Sequence, residues 1–202
     1  MPAKVIVVHK WGKVVDQHMP TVEVVDTTTT TTWNGDLSPF IIGQCPLYSG
    51  FIAENMENAW QFTKVYKQHT SDAGEPTEEY WKWAKKGWKD QKAHRYPMGK
   101  GKVPEYSLWD GEHLGYVDAR KKIYGPLYVE AVQKTKGWNQ LLQLYNSCTR
   151  LYLRDWDGWD MVRHNMKDLT QVLNNPRRKM GHAFVLKMLL EDDPALGEMH
   201  LR

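Results

Sequence analysis

The chain has 202 residues, 41% hydrophobic and 25% charged, with a net charge of +3, the balance of an ordinary globular protein. That length suits one domain, or one with a modest extension, whose core needs neither disulfides nor a structural metal. No run approaches the roughly 18–20 apolar residues of a membrane span and no leader pattern is read at the N-terminus. Two cysteines, Cys45 and Cys148, fit a reducing compartment and lack zinc-site spacing, so a cytoplasmic protein without a membrane partner is expected.

In chain order, residues 5–8 and 22–25 are valine-rich runs separated by Gly12 and Pro20, which predicts two strands paired as a hairpin. Residues 27–32 are six threonines, suited to an extended edge or a loop. Residues 1–34 thus read as N-terminal strands and a Thr-rich segment packing on a main domain of residues 35–202. Prolines and glycines over 37–49 predict a structured loop. Over 54–67, Met56, Ala59, Trp60, Phe62, Thr63 and Tyr66 recur near one face, the spacing of a helix. After a break at 71–76, Thr77 is a suitable N-cap, with Glu78 and Glu79 in the first turn, for a helix to about residue 93. Residues 96–115 hold two prolines and four glycines and predict a long loop, of the kind that often carries function. A helix is expected over 117–134, interrupted or kinked at Gly125-Pro126, then a short helix over 138–145. A short buried strand at 151–153 runs into Asp155-Trp156-Asp157-Gly158, and two more helices are expected near 161–173 and 178–191. The sum is an α+β fold: a mainly helical single domain with a small N-terminal and central β-sheet.

Charge and aromatics are unevenly spread. Residues 82–102 contain seven lysines and Arg95 against one acid, Asp90; this is either a solvated helix face or an electropositive wall for phosphate or nucleic acid. Ten tryptophans exceed ordinary usage, and they serve as core or as stacking platforms for a base. Glu57, Gln61 and Lys64 stand at i, i+4 and i+7, on one helical face, which an amphipathic surface helix also produces. Asp155 and Asp157 alternate at a strand end and should point the same way, unless they are turn formers before Gly158. A calcium loop is rejected because the glycine comes too early and Met166 stands where the closing Glu belongs. No P-loop or dinucleotide fingerprint is present; Met98-Gly99-Lys100-Gly101-Lys102 is a basic loop without the following helix. The histidines never pair at metal-ligand spacing, and Cys45 has no base beside it, so neither a metal nor a cofactor is expected.

The order of short motifs then resembles the NADAR superfamily. Ser38-Pro39-Phe40 precedes Glu57-Asn58-Ala59-Trp60-Gln61-Phe62-Thr63-Lys64, similar to the family's aromatic–PF segment and its "E-H-x-Y/W-Q-x-x-K" helix. Residues 153–159 resemble its strand leading to an acid and a Trp-Gly-like turn, and residues 180–186 resemble its closing helix. The likeness spans about residues 35–192, with departures at Gly181-His182-Ala183-Phe184 and in the long basic loop. The motif texture is also similar to proteins carried by large bacteriophages, which places the protein in host cytoplasm if it is phage-encoded.

The resemblance implies an N-glycosidase on riboside compounds, with relatives that remove ADP-ribose from guanine bases or cleave a riboflavin-pathway intermediate. Carried over by position, Glu57 matches the family's helix glutamate, Asp157 or Asp155 its later acid, and Trp159 its aromatic. Cleaving a C–N glycosidic bond develops positive charge on the sugar; one carboxylate stabilises it or activates water, and a second acid protonates the leaving nitrogen. Trp60, Trp109 or Trp159 would stack on the base, with Gln61 beside it, and Lys64, Lys100 or Arg95 would hold a pyrophosphate. If Glu57 is buried near Trp60, its pKa should rise. The competing expectations are a transglycosylase or nucleobase-modifying enzyme, and a nucleotide- or nucleic-acid-binding protein without catalysis.

Overall fold

In the computed structural model, which describes residues 4–201, the organising element is a strand near the end of the chain. In chain order the elements are β1 (Lys4–His9), β2 (Val22–Asp26), β3 (Gly43–Pro46), β4 (Ile52–Asn55), α1 (Met56–Gln61), β5 (Lys64–Val65), α2 (Glu78–Trp88), β6 (Tyr106–Trp109), β7 (Glu112–Leu114), α3 (Tyr116–Ala119), α4 (Gly125–Val132), α5 (Lys136–Ser147), β8 (Arg150–Asp155), α6 (Leu169–Leu173) and α7 (His182–Glu191). The fold is α+β, with three small sheets ordered β1-β8-β2, β3-β4 and β5-β6-β7.

The two N-terminal valine runs do not pair with each other. Both lie parallel to β8, which runs between them, with Val5 opposite Leu151 and Val25 opposite Leu153. The segment 10–21 is therefore a crossing rather than a hairpin turn. Leu151 and Leu153 are fully buried, as expected for a central parallel strand covered on its core face. That face packs on α7, whose Ala183, Phe184, Val185, Leu186 and Met188 join one core with Leu37, Met56, Leu141 and Trp88. The opposite face carries a satellite cluster of Val8, Val14 and Tyr152. Asp16 closes it from the crossing, accepting from Tyr152 Oη at 2.7 Å and pairing with Arg150. Residues 1–34 thus contribute both neighbours of the strand that ends in the acidic cluster.

Four predicted elements change form. The helix expected over 54–67 is only α1: Asn55 caps it by accepting from the Asn58 N–H at 2.8 Å, and it ends at Phe62. Beyond Phe62 the β-branched Thr63 and Val65 leave the helix, and Lys64–Val65 pairs antiparallel with Tyr106 and Ser107. Within the loop expected over 96–115 lies the β6–β7 hairpin. Its two-residue turn is Asp110-Gly111, with φ of 47° and 82°, the left-handed pair that a type I′ turn requires. The kink expected at Gly125-Pro126 is instead absorbed by a π-helical turn, Arg120–Tyr124, between α3 and α4. The helical backbone runs unbroken from Tyr116 to Val132, and the π turn lies directly before Pro126, whose missing N–H would interrupt a regular α-helical ladder. Residues 161–173 hold a short 3-10 turn and then α6, rather than one helix. Among the described residues no helix is long and apolar enough to cross a membrane.

Candidate functional site

A cavity of about 850 Å³ opens where the C-terminal end of β8 and the threonine segment after β2 meet α1, the π turn and the start of α7. Its floor begins with Glu57, in the first turn of α1 and only 7% exposed. The Glu57 N–H donates to Pro39 O at 2.9 Å, so the Ser38-Pro39-Phe40 segment and α1 are locked together. From the carboxylate a chain of side-chain hydrogen bonds runs outward. Gln61 Nε2 donates to Glu57 Oε1 at 2.9 Å, and Lys64 Nζ donates to Gln61 Oε1 at 2.7 Å. The i, i+4, i+7 spacing therefore does mark one connected row, although Lys64 belongs to β5. Lys64 Nζ also lies 4.6 Å from the Trp60 ring centroid. Burial raises the pKa of Glu57, opposed by the Gln61 hydrogen bond and by the positive charges of Lys64, Arg95 and His182. Burial lowers Lys64 to about 8, opposed by Glu57. Both groups are pushed toward neutrality because desolvation disfavours the charged form of each.

The opposite wall comes from the end of β8. Asp155 is buried and both its oxygens are engaged. Oδ1 accepts from the Asp157 N–H at 3.0 Å; Oδ2 accepts from the Ala183 N–H at 3.0 Å and faces His182 Nδ1 at 3.2 Å. His182 Nε2 faces Thr27 O at 3.0 Å. The Asp155 carboxylate thus sits at the N-terminus of α7, where the helix dipole favours an anion, and aims the following turn. Asp157 is the acid that this turn presents to the cavity. It accepts from Arg95 Nη2 at 2.9 Å, with Lys179 Nζ 3.8 Å from its other oxygen. Arg95 feels both Asp157 and Glu57, and Tyr124 is pushed upward by burial and by Asp155, Glu57 and Asp157. The two walls are therefore electrostatically one site.

Arg95 reaches the cavity because α1 holds the preceding loop. Asn58 Nδ2 donates to the carbonyls of Asp90 and Lys92 at 2.8 and 2.9 Å, and Asn58 Oδ1 accepts from the His94 N–H at 2.9 Å. The basic run 82–102 divides at this anchor. Its first part is a solvated face, where Lys82 pairs with Glu78 and Lys85 lies over Phe51 and Trp81. Its last part, Arg95, Lys100 and Lys102, lines the cavity. The run is thus a solvated face along α2 and part of a cavity wall at its end. In total eight Lys and Arg side chains line the cavity against three acids.

Of the residues singled out in the sequence, Glu57, Trp60, Gln61, Lys64, Arg95, Lys100, Asp155 and Asp157 come together here. Two tryptophans do not. Trp109 is 5% exposed and packs edge-on to Tyr48 at 5.0 Å, on the inward face of β6. Trp159 lies behind the wall: its ring packs 4.9 Å from Phe184 and its Nε1–H donates to Lys179 O at 2.9 Å, bracing the 178–181 segment. The tryptophan at the mouth is Trp156, 42% exposed. Strand alternation carried it outward, a signal already present in the spacing of Leu151, Leu153 and Asp155. Three further groups had no local signature: His182, Tyr124 and Arg120, whose roles depend on long-range packing. Arg120 is 2% exposed and donates to four carbonyls, those of Val172, Leu173, Asn175 and Arg178, at 2.9–3.2 Å. It thereby fixes the 174–180 segment that forms one side of the mouth. Among the described residues no group of three or more His, Cys, Asp or Glu is placed to hold a metal ion.

No curated protein matches this chain. A family model covers residues 9–184, a span that includes α1, the basic loop and the acidic end of β8 together. The chain accordingly belongs to a family of unknown function, DUF6939.

Proposed function

We propose that this protein hydrolyses an N-glycosidic bond in an ADP-ribosyl or related ribosyl–nucleobase substrate. The observation that carries the reading is a buried carboxyl of raised pKa, Glu57, sharing one cation-rich cavity with a second carboxylate, Asp157. A carboxyl whose pKa is raised by burial is suited to act as a general acid, and a carboxylate beside it serves as base or charge stabiliser. In the proposed step Glu57 protonates the leaving base nitrogen as the C1′–N bond breaks, its electron pair going to the base. Asp157 stabilises the oxocarbenium-like sugar and takes a proton from the water that adds to C1′. Gln61 keeps the Glu57 carboxyl oriented, and Lys64 with the rim cations holds phosphate oxygens. Trp60 offers an aromatic face for a base. The motif likeness of Glu57 to Lys64 to the NADAR helix supports the same assignment.

The test is incubation with ADP-ribosylated oligonucleotide and with free ADP-ribosyl compounds in H₂¹⁸O, with products read by mass spectrometry. Release of free base and a ribosyl product carrying ¹⁸O is expected. Glu57→Gln should lose at least about 100-fold in turnover, the scale of a general acid. Near-wild-type hydrolysis by that variant removes Glu57 from the mechanism. A new glycoside in place of the ¹⁸O product indicates base exchange, and tight binding with the ligand recovered intact indicates sequestration, a reading the cation excess also favours.

A further inference from the structure

Beside the cavity mouth stand two aromatic rings that neither the core nor the cavity floor uses. Trp11 is 73% exposed and Trp156 42% exposed, which is unusual for a side chain that carries so much apolar area. Their centroids are 5.7 Å apart with planes at 85°, and His9 meets Trp156 edge-on at 6.1 Å. The rings hang from the C-terminal ends of two paired parallel strands, since His9 is opposite Asp155 in the β1–β8 register. Crevices beyond the carboxyl ends of parallel strands are where ligands bind in such sheets.

The corner is built rigidly. The Lys10 N–H donates to Asp155 O at 2.8 Å, and Gly12 N–H donates to His9 O at 2.6 Å, closing the turn that presents Trp11. Lys10 Nζ is held at 2.5 Å by both Asp26 and Thr28 Oγ1, and lies 5.7 and 5.6 Å from the Trp11 and Trp156 centroids. Trp156 lines the cavity whereas Trp11 lies outside it. A ligand touching both therefore extends beyond the cavity.

We infer that the substrate is a single-stranded nucleic acid whose target nucleotide enters the cavity while a neighbouring base stacks in the Trp11–Trp156 corner. The inference rests on reading the cavity as a nucleotide site. Exposed cations at the mouth, Lys100, Lys102, Arg177 and Lys179, complement the phosphates of a strand. Aromatic faces beside a cationic groove are how sequence-tolerant single-strand binding is achieved. A duplex would have to expel its nucleotide first and so is disfavoured.

The test is fluorescence anisotropy with a labelled single-stranded oligodeoxynucleotide of about 12 nucleotides, its duplex form, and free ADP-ribose as competitor. Full-length wild type and Glu57→Gln should bind the single strand alike and the duplex more weakly. Trp11→Ala and Trp156→Ala should each weaken single-strand binding at least about fivefold, the low end for loss of one base–aromatic stack, and Trp11→Ala, outside the cavity, should leave ADP-ribose binding in place. The high exposure of Trp11 makes Trp11→Ala the variant whose fold is least at risk, and circular dichroism checks both. Unchanged oligonucleotide binding in both variants overturns the inference, as does a duplex bound as tightly as the single strand. An equal loss for ADP-ribose in Trp11→Ala makes the corner a mononucleotide subsite and also overturns it. Tryptophan-dependent strand binding without base release retires the glycosidase proposal alone. Base release from free ADP-ribosyl compounds, with no strand binding, retires this one alone.

Discussion

Glu57 is held in a state that costs the fold stability, because burial disfavours its charged form. An unfolded Glu titrates near 4.3, and burial raises Glu57 in the folded protein. Between those two values the folded state binds more protons, so stability falls as pH rises through the window. Lys64 behaves in the opposite sense. Its folded value of about 8 lies below the ordinary 10.5, so stability rises again as pH climbs from about 8 to 10.5. The wild type is expected to lose stability as pH rises above about 4.3 on account of Glu57 and to regain some above about 8 on account of Lys64. Glu57→Gln removes the acid limb and keeps an acceptor for Gln61. Thermal melts should show it more stable than wild type at pH 7, by about 2–4 °C for each kcal/mol in a chain of this length, with the advantage vanishing below pH 4. Equal melting temperatures at both pH values would mean that Glu57 is solvated. A second residue-scale constraint is Gly181, where a Cβ would lie 2.0 Å from Asp155 Oδ2. That oxygen is tied to Ala183 and His182 and cannot swing away. Gly181→Ala should cost about 1–3 kcal/mol, as overpacking does, and should displace Asp157. Gly197→Ala, with nothing within 4 Å of its Cβ, is the matched control.

At the scale of elements, the site depends on one π turn. Arg120 in that turn holds the carbonyl-rich end of α6 and the segment after it through four hydrogen bonds, with the Tyr116 ring 4.6 Å from its guanidinium carbon. Arg120→Met leaves those buried carbonyls without donors and should cost at least about 3 kcal/mol, the scale of breaking a buried charged network. Amide exchange over residues 174–180 should accelerate more than exchange in β8, and Arg120→Lys should restore part of the protection. Uniform acceleration across the chain would mean global destabilisation instead. The same elements show what the sequence could and could not disclose. α5, α2 and the Thr77 cap were legible because capping and periodicity are local. Asp110-Gly111 was equally local, but the glycine and proline content around it suggested a featureless loop. The parallel β1-β8-β2 order was not legible: the two valine runs are close in sequence, and only the distant apolar strand at Leu151–Leu153 separates them. For the candidate site, spacing put Glu57, Gln61 and Lys64 on one face but only the NADAR-like motif singled them out, and Asp157 stood out by its position after a strand. His182 and Arg120 looked like ordinary helix residues, since their partners lie 27 or more residues away in sequence.

For the molecule as a whole, the modest net charge of +3 conceals where the charge resides. Eight cations against three acids line one cavity, so the remaining surface is nearly balanced and the cavity mouth is the positive pole. A concave, low-dielectric opening lined by one sign of charge focuses the field and speeds capture of an opposite charge. Several of these cations are already engaged: Arg95 with Asp157, Arg120 with backbone carbonyls, and Arg178 with His164. The exposed Lys100, Lys102 and Arg177 are the ones positioned to steer a ligand rather than to shape the wall. Removing them should therefore slow association and leave dissociation nearly unchanged, the signature of rim charges. The expected result for Lys100→Ala with Lys102→Ala is a lower on-rate for ADP-ribose at low salt, with a flatter salt dependence, in stopped-flow measurements. The difference from wild type should shrink as ionic strength passes about 0.15 M, where the screening length falls to about 8 Å. Lys82→Ala with Lys86→Ala removes the same charge from the solvated part of the run and should leave both rates alone. If the two pairs of substitutions slow capture equally, the field belongs to the whole surface and the cavity is not its focus.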